Sequence, residues 1–114
     1  HYTEDWQHDW TYNIDKPDDL FKPWGFQPGH QVEWEKLLLQ LDMHRPTDWH
    51  LVTARRLYDL AMTQGWDDEH GGLVYGYAPD GSFADAHKYF WVHAEAIATA
   101  WRLYDRTEEA IRFI

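Results

Sequence analysis

Apolar positions recur with the period of a helix in three stretches of the chain, and each stretch is bracketed by residues that start or stop helices. The first runs from about His30 to Met43, where Val32, Leu37, Leu38, Leu39 and Leu41 stand among Glu, Lys and Gln. Pro28-Gly29 marks its start and Arg45-Pro46 its end, because the residue before a proline is pushed out of helical geometry. The second runs from Thr47, a side chain suited to an N-cap, to Gln64, with Gly65 as the C-terminal cap. Leu51, Ala54, Leu57, Tyr58 and Ala61 form its apolar stripe. The third spans roughly Ala84 to Tyr104 and is apolar on nearly every side, through Phe90, Trp91, Val92, Ala94, Ala96, Ile97, Ala98, Ala100, Trp101 and Leu103. Such a helix is expected to be buried all round. Asp105 or Thr107 is placed to cap a fourth helix that the sequence does not finish.

Between these stretches the pattern changes. Residues 1–29 lack helical periodicity and are punctuated by Pro17, Pro23, Pro28, Gly25 and Gly29, which predicts a short extended start near Tyr2–Asp5 and then a long loop rich in aromatics. Loops of that length inside a compact fold usually serve function. Trp66 to Gly72 reads as a turn, with Asp67, Asp68 and Glu69 as a solvated acidic run. Leu73 to Tyr77 alternates like a strand, closed by the Pro79-Asp80-Gly81 turn. Helix, short link, helix, β connector, helix is the order found in helical toroids. The chain begins at His1 and ends at Ile114 in what reads as the start of a helix, so both ends look cut and the 114 residues read as one partial domain.

Charge narrows the partners. The net charge of −10 disfavours nucleic acid, whose binding draws on clustered positive charge, and disfavours an anionic membrane surface for the same reason. With no cysteine, disulfides and thiolate metal sites are excluded. No apolar run reaches the ~18 residues of a membrane span, and a cytoplasmic protein is the expectation. Eight Trp, seven Tyr and five Phe are many for so acidic a chain. Indole and phenol rings pack on the C–H faces of sugars while their polar edges donate hydrogen bonds, so this composition favours carbohydrate.

Two clusters carry candidate chemistry. In Lys22-Pro-Trp-Gly-Phe-Gln-Pro-Gly-His-Gln-Val-Glu-Trp34, His30 falls in the first turn of its helix and Glu33 stands three residues on, so both project from one face. A carboxylate beside an imidazole orients the ring and stabilises its cation, which suits a group that takes a proton and returns it. On the third helix, Trp91 and Glu95 share a face and His93 points elsewhere. A glutamate in so apolar a helix must face a polar cavity or an ion pair. No His-Glu-x-x-His run completes a metal site around His30 and Glu33, and no glycine-rich phosphate loop is present.

These two segments, KPWGFQPGHQVEWEKLLL from Lys22 to Leu39 and KYFWVHAEA from Lys88 to Ala96, resemble signature segments of the N-acylglucosamine 2-epimerase superfamily, closest to its branch of mannose and sulfoquinovose isomerases. The stretch from Gly72 to Gly81 is in the style of that branch as well. The resemblance implies an all-α fold, an (α/α)6 toroid built from antiparallel helix pairs with a short β-hairpin connector, of which this chain would be about a quarter. It implies that His30, Glu33 and Glu95 are catalytic, and that Trp24, Phe26, Trp34, Trp91 and His93 contact substrate. A second catalytic histidine would lie beyond the chain.

The function so implied is interconversion of a free aldose and ketose, or of C2 epimers, by histidine acid/base proton transfer through an enediol. It requires no cofactor and no metal, takes a monosaccharide as partner, and is compatible with a homo-oligomer. Two other readings stay open: a non-catalytic carbohydrate-binding or scaffold module, and a glycoside hydrolase on a similar toroid using a carboxylate pair such as Glu33 and Glu95.

Overall fold

A computed structural model describes residues 12–16 and 19–108. Three helices carry the fold: α1 (Pro28–His44), α2 (Asp48–Gln64) and α3 (Phe90–Thr107), with a two-stranded antiparallel hairpin, β1 (Gly76–Tyr77) and β2 (Phe83–Asp85), between α2 and α3. The described part of the chain is thus all-α apart from this hairpin.

The first two helices lie where periodicity places them. Pro28 occupies the first turn of α1, where its missing N–H has no partner to lose, so the helix starts two residues before His30 and the preceding loop ends at Gln27. Thr47 is the N-cap residue of α2 in extended backbone geometry, although its side chain makes no capping bond. The predicted stripe faces inward: Ala54, Tyr58 and Ala61 are buried, and Leu51 and Leu57 are packed against them.

The third helix departs from expectation at both ends. Residues 83–85 form β2 instead of a first helical turn, and α3 begins at Phe90 after Tyr89. Asp105 and Thr107 lie inside its last turn, and Glu108 ends it in left-handed geometry at φ 55°. A fourth helix and the extended start near residues 2–5 fall outside the described residues. Nor is α3 covered all round: Val92, Ala96, Thr99, Ala100 and Leu103 are buried, whereas Phe90, Ile97 and Trp101 are exposed. The strand expected over residues 73–77 pairs only at Gly76 and Tyr77, yet all of 73–78 is buried because the connector lies across the helix ends.

Contacts at the helix ends fix the directions. Gly65, after the end of α2, packs on Pro28 at the start of α1, and Asp42 near the end of α1 accepts the Thr47 N–H at 3.3 Å, so α1 and α2 are antiparallel. Trp91 and Val92, early in α3, pack on Gly29, while Arg106 at the end of α3 donates to Asp42 at 2.7 Å. Therefore α1 and α3 run parallel, with their N-termini at one rim. Between them the Thr99 hydroxyl donates to the Val32 carbonyl at 3.0 Å, and Val32, Leu39, Val92, Ala96, Ala100 and Leu103 fill the core. No helix among the described residues is long and apolar enough to cross a membrane.

Candidate active site

The rim where α1 and α3 begin gathers most of the residues singled out in the sequence. The first turn of α1 projects His30 and Glu33 to one side, and His30 Nδ1 lies 3.2 Å from Glu33 Oε2. A carboxylate only accepts, so this contact places the proton on Nδ1 and leaves Nε2 as the basic nitrogen. Both side chains are about half exposed, at 56% and 43%, so the pair stands at a surface open to a ligand. The Trp91 ring meets the other side of His30, with centroids 5.5 Å apart and planes tilted by 46°.

Trp91 reaches His30 because residue 29 is glycine. A Cβ at position 29 would come within 2.5 Å of Trp91 Cη2 and 2.9 Å of Val92 Cγ2, so the Pro-Gly-His run lets α3 approach at that turn. Behind the indole, Tyr75 of the connector stands edge-on at 6.4 Å and stacks obliquely on Tyr89 at 4.5 Å. The Tyr75 hydroxyl donates to the Leu20 carbonyl at 3.0 Å, which ties the aromatic loop to the connector, and burial raises its pKa.

The loop before α1 is fixed in the same manner. Phe26 and Tyr77 exchange two backbone hydrogen bonds of 2.8 and 2.9 Å, and their rings stack at 5.2 Å. Gly25 permits this approach at φ 92°, where a Cβ would lie 2.5 Å from the Tyr77 carbonyl oxygen. Gln31 donates to the Tyr77 hydroxyl at 2.7 Å. Phe26 and Trp24 are half-buried beside the connector, and Trp34, one helical turn beyond His30, is exposed.

Glu95 answers the question posed by its apolar helix with an ion pair: Lys36 of α1 donates to its Oε2. His93 is turned the other way. Its Nε2 accepts the Leu73 N–H at 3.0 Å and its Nδ1 donates to the Tyr89 carbonyl at 3.0 Å, so both ring nitrogens are spent on protein. The structure therefore brings His30, Glu33, Trp91 and Glu95 to adjoining faces of α1 and α3, and points His93 at the turn that follows α2.

In that turn Asp68 and Glu69 are exposed, as expected of a solvated acidic run, and Asp67 is the exception. Asp67 is buried; its Oδ1 accepts the N–H groups of Glu69 and His70 at 3.0 and 3.1 Å, and its Oδ2 accepts from Lys88 at 2.6 Å. The Lys88 bond, backed by those two N–H donors, holds the Asp67 pKa down to about 2. Sequence reasoning missed Lys36 and Asp67 as structural actors. Spacing gave a signal for Lys36, three residues beyond Glu33 on the same face. Among the described residues, no group of three or more His, Asp or Glu side chains is arranged to hold a metal ion.

Comparison with known proteins gives the family. The sequence profile of N-acylglucosamine 2-epimerase (GlcNAc 2-epimerase) matches residues 1–112. A D-mannose isomerase of Marinomonas mediterranea is 59% identical over 109 residues, which are 96% of this chain and 28% of that protein. A D-mannose isomerase of Pseudomonas cannabina pv. alisalensis is 39% identical over 116 residues, with the same two coverages. A crystal structure of D-mannose isomerase superposes with a TM-score of 0.91 at 59% identity, over 96% of this chain and 28% of that one. The chain thus spans little more than a quarter of the length of these relatives, and its helices are those of part of a helical toroid. With the family profile matched over residues 1–112, almost end to end, the chain belongs to the N-acylglucosamine 2-epimerase family.

Proposed function

We propose that this chain forms part of the wall of a sugar isomerase acting on a free aldose such as D-mannose, and that His30 is one of its two acid/base groups. The observation that carries the reading is the His30–Glu33 pair, half exposed at the rim with Trp91 against it. After ring opening, Nε2 of His30 takes the proton from the carbon beside the carbonyl, the electron pair moves to form the enediolate, and the carbonyl oxygen is protonated. Return of a proton to the former carbonyl carbon, with loss of the adjacent hydroxyl proton, gives the ketose. Return to the original carbon from the opposite face would instead give the epimer. Glu33 holds Nδ1–H and stabilises the imidazolium formed in the first step. The parallel N-termini of α1 and α3 add positive dipole ends near the developing enediolate.

Trp91, Trp34, Trp24 and Phe26 would supply apolar surface to the sugar, and Glu95 would accept its hydroxyls. We assign His93 to holding the turn at Leu73 in place of direct contact with substrate. The second acid/base group belongs to another part of the toroid.

The test is a panel of free sugars and glycosides offered to the full-length protein in D2O and followed by proton NMR. Interconversion of mannose and fructose with deuterium entering C1 or C2 is expected. His30→Ala is expected to lower turnover by about 10² to 10⁴-fold, the usual span of a general base, with the melting temperature little changed because the side chain is exposed. Undiminished turnover in that variant, or release of a reducing sugar from a glycoside instead of isomerisation, rejects the reading.

A further inference from the structure

We propose that Lys36 is a positioning residue for the site, holding Glu95 in the orientation that lets it accept substrate hydroxyls. The inference rests on the reading of Glu95 given above.

Lys36 and Glu95 are 59 residues apart and meet only because α1 and α3 lie side by side. Long helical side chains lean toward the N-terminus of their own helix. In two parallel helices that lean carries both charged groups toward the rim where His30 and Trp91 stand. Glu95 follows Trp91 by four residues and Lys36 follows His30 by six, so the pair is rooted between one and two helical turns, roughly 6–9 Å, below the His30–Trp91 contact. The side chains are 21% and 26% exposed, which puts the pair at the edge of the wall and not inside the core.

The bond uses one carboxylate oxygen. Nζ of Lys36 meets Oε2, and Oε1 has no partner among the described residues. A carboxylate with one oxygen held and the other free is a directional acceptor for a sugar hydroxyl. The lysine has a second effect. In a chain whose net charge is −10, an ammonium bound to Glu95 offsets repulsion from other carboxylates that would swing it away from the rim, and competes with any pull from a protonated His30. A fixed Glu95 leaves Glu33 as the carboxylate that serves His30.

The test uses the full-length protein with D-mannose as substrate and four variants: Lys36→Gln, Lys36→Arg, Glu95→Gln, and Lys36→Gln combined with Glu95→Gln. If Glu95 holds hydroxyls equally in ground and transition states, losing its orientation raises KM by about 10-fold or more with kcat within about threefold, the size of a lost charge-assisted hydrogen bond. Lys36→Arg, which keeps the charge and a donor, is expected to stay within about threefold of wild type. In the Glu95→Gln background, Lys36→Gln is expected to add nothing, because an amide cannot be held as an ion-pair partner. Circular dichroism melting separates misfolding from misplacement, and a lysine needed only for folding would lower the melting temperature and add its effect to that of Glu95→Gln. Unchanged KM in Lys36→Gln beside a raised KM in Glu95→Gln overturns the positioning role alone. Unchanged kinetics in Glu95→Gln overturns the reading of Glu95 itself.

Discussion

Trp91 rests directly on Gly29, and the space for its indole is the space a side chain at 29 would fill. An added methyl would meet Cη2 at 2.5 Å and Cζ3 at 2.9 Å. Trp91 in turn sets the position of the His30 ring. Gly29→Ala is therefore expected to cost about 1–3 kcal/mol of stability, the usual penalty of overpacking, and to lower kcat by displacing His30. Thermal melting and steady-state kinetics of the full-length variant check both effects. A variant that melts and turns over like wild type would show that the indole has room to move.

Glu35 is fully buried between α1 and α2, and neither of its carboxyl oxygens has a hydrogen-bond partner among the described residues. Burial first, and then the nearby Asp59, push its pKa up to about 9 despite the opposing influence of Arg55. An unfolded glutamate releases its proton near 4.5, so the folded state holds the extra proton between 4.5 and about 9. Stability is complete below that window and falls as pH rises through it, by at most about 1.4 kcal/mol per pH unit. Glu35→Gln keeps the shape and removes the titration. Denaturant unfolding at pH 5, 7 and 9 is expected to show a gain for the variant that grows with pH. Parallel curves for variant and wild type would contradict it.

Asp67 titrates in the opposite sense. Its folded pKa of about 2 lies below the ordinary 3.8, so its contribution is present above 3.8 and is lost as pH falls from there toward about 2. Asp67→Asn is expected to be less stable than wild type at neutral pH and to show a shallower decline on acidification. Because the same turn presents the Leu73 N–H to His93, the variant should also expose amides of the 66–73 turn to hydrogen exchange. Unaltered exchange there would mean that the turn holds without its charge.

The outer side of α3 has no cover among the described residues. Trp101 is 60% exposed and Ile97 47%, and a groove of about 320 Å³ beside Trp101 is lined by Leu39, Met43 and Ala98 together with Arg102, Asp105 and Arg106. Exposed apolar side chains of this size, uncovered by a neighbouring helix, favour association. Produced alone, the 114 residues are expected to self-associate or bind a hydrophobic dye, and not to isomerise mannose. Sedimentation velocity and dye fluorescence decide the matter, and a monomeric, dye-silent and active chain would contradict both the exposure argument and the division of the site.

Short-range patterns were legible in the sequence, and long-range ones were not. The boundaries of α2 follow from its stripe of Ala54, Tyr58 and Ala61 between an N-cap residue and a glycine. The facing of His30 and Glu33 follows from three-residue spacing. At the start of α3, Ala84, Ala86 and Lys88 favour helix locally, but pairing of residues 83–85 with Gly76 and Tyr77 draws that stretch into a strand. Asp67 looked solvated because its partner Lys88 is 21 residues away, and His93 conceals a bond to a backbone amide 20 residues distant. Partners that meet only after the helices pack leave no periodic trace.

The connections are divided unevenly between the two rims. At the far rim, three residues, 45–47, join α1 to α2, and Asp42 binds both that link and Arg106 of α3. At the near rim lie the described residues 19–27 and the connector after α2, laced together by the Phe26–Tyr77 and Tyr75–Leu20 bonds. One edge of the wall thus works as a rigid hem and the other as an adjustable collar. The pitch between α1 and α3 is held through Asp42 from the side opposite His30, so a change of length in the collar that spares Tyr75 and Tyr89, which back Trp91, leaves the spacing of the two helices intact.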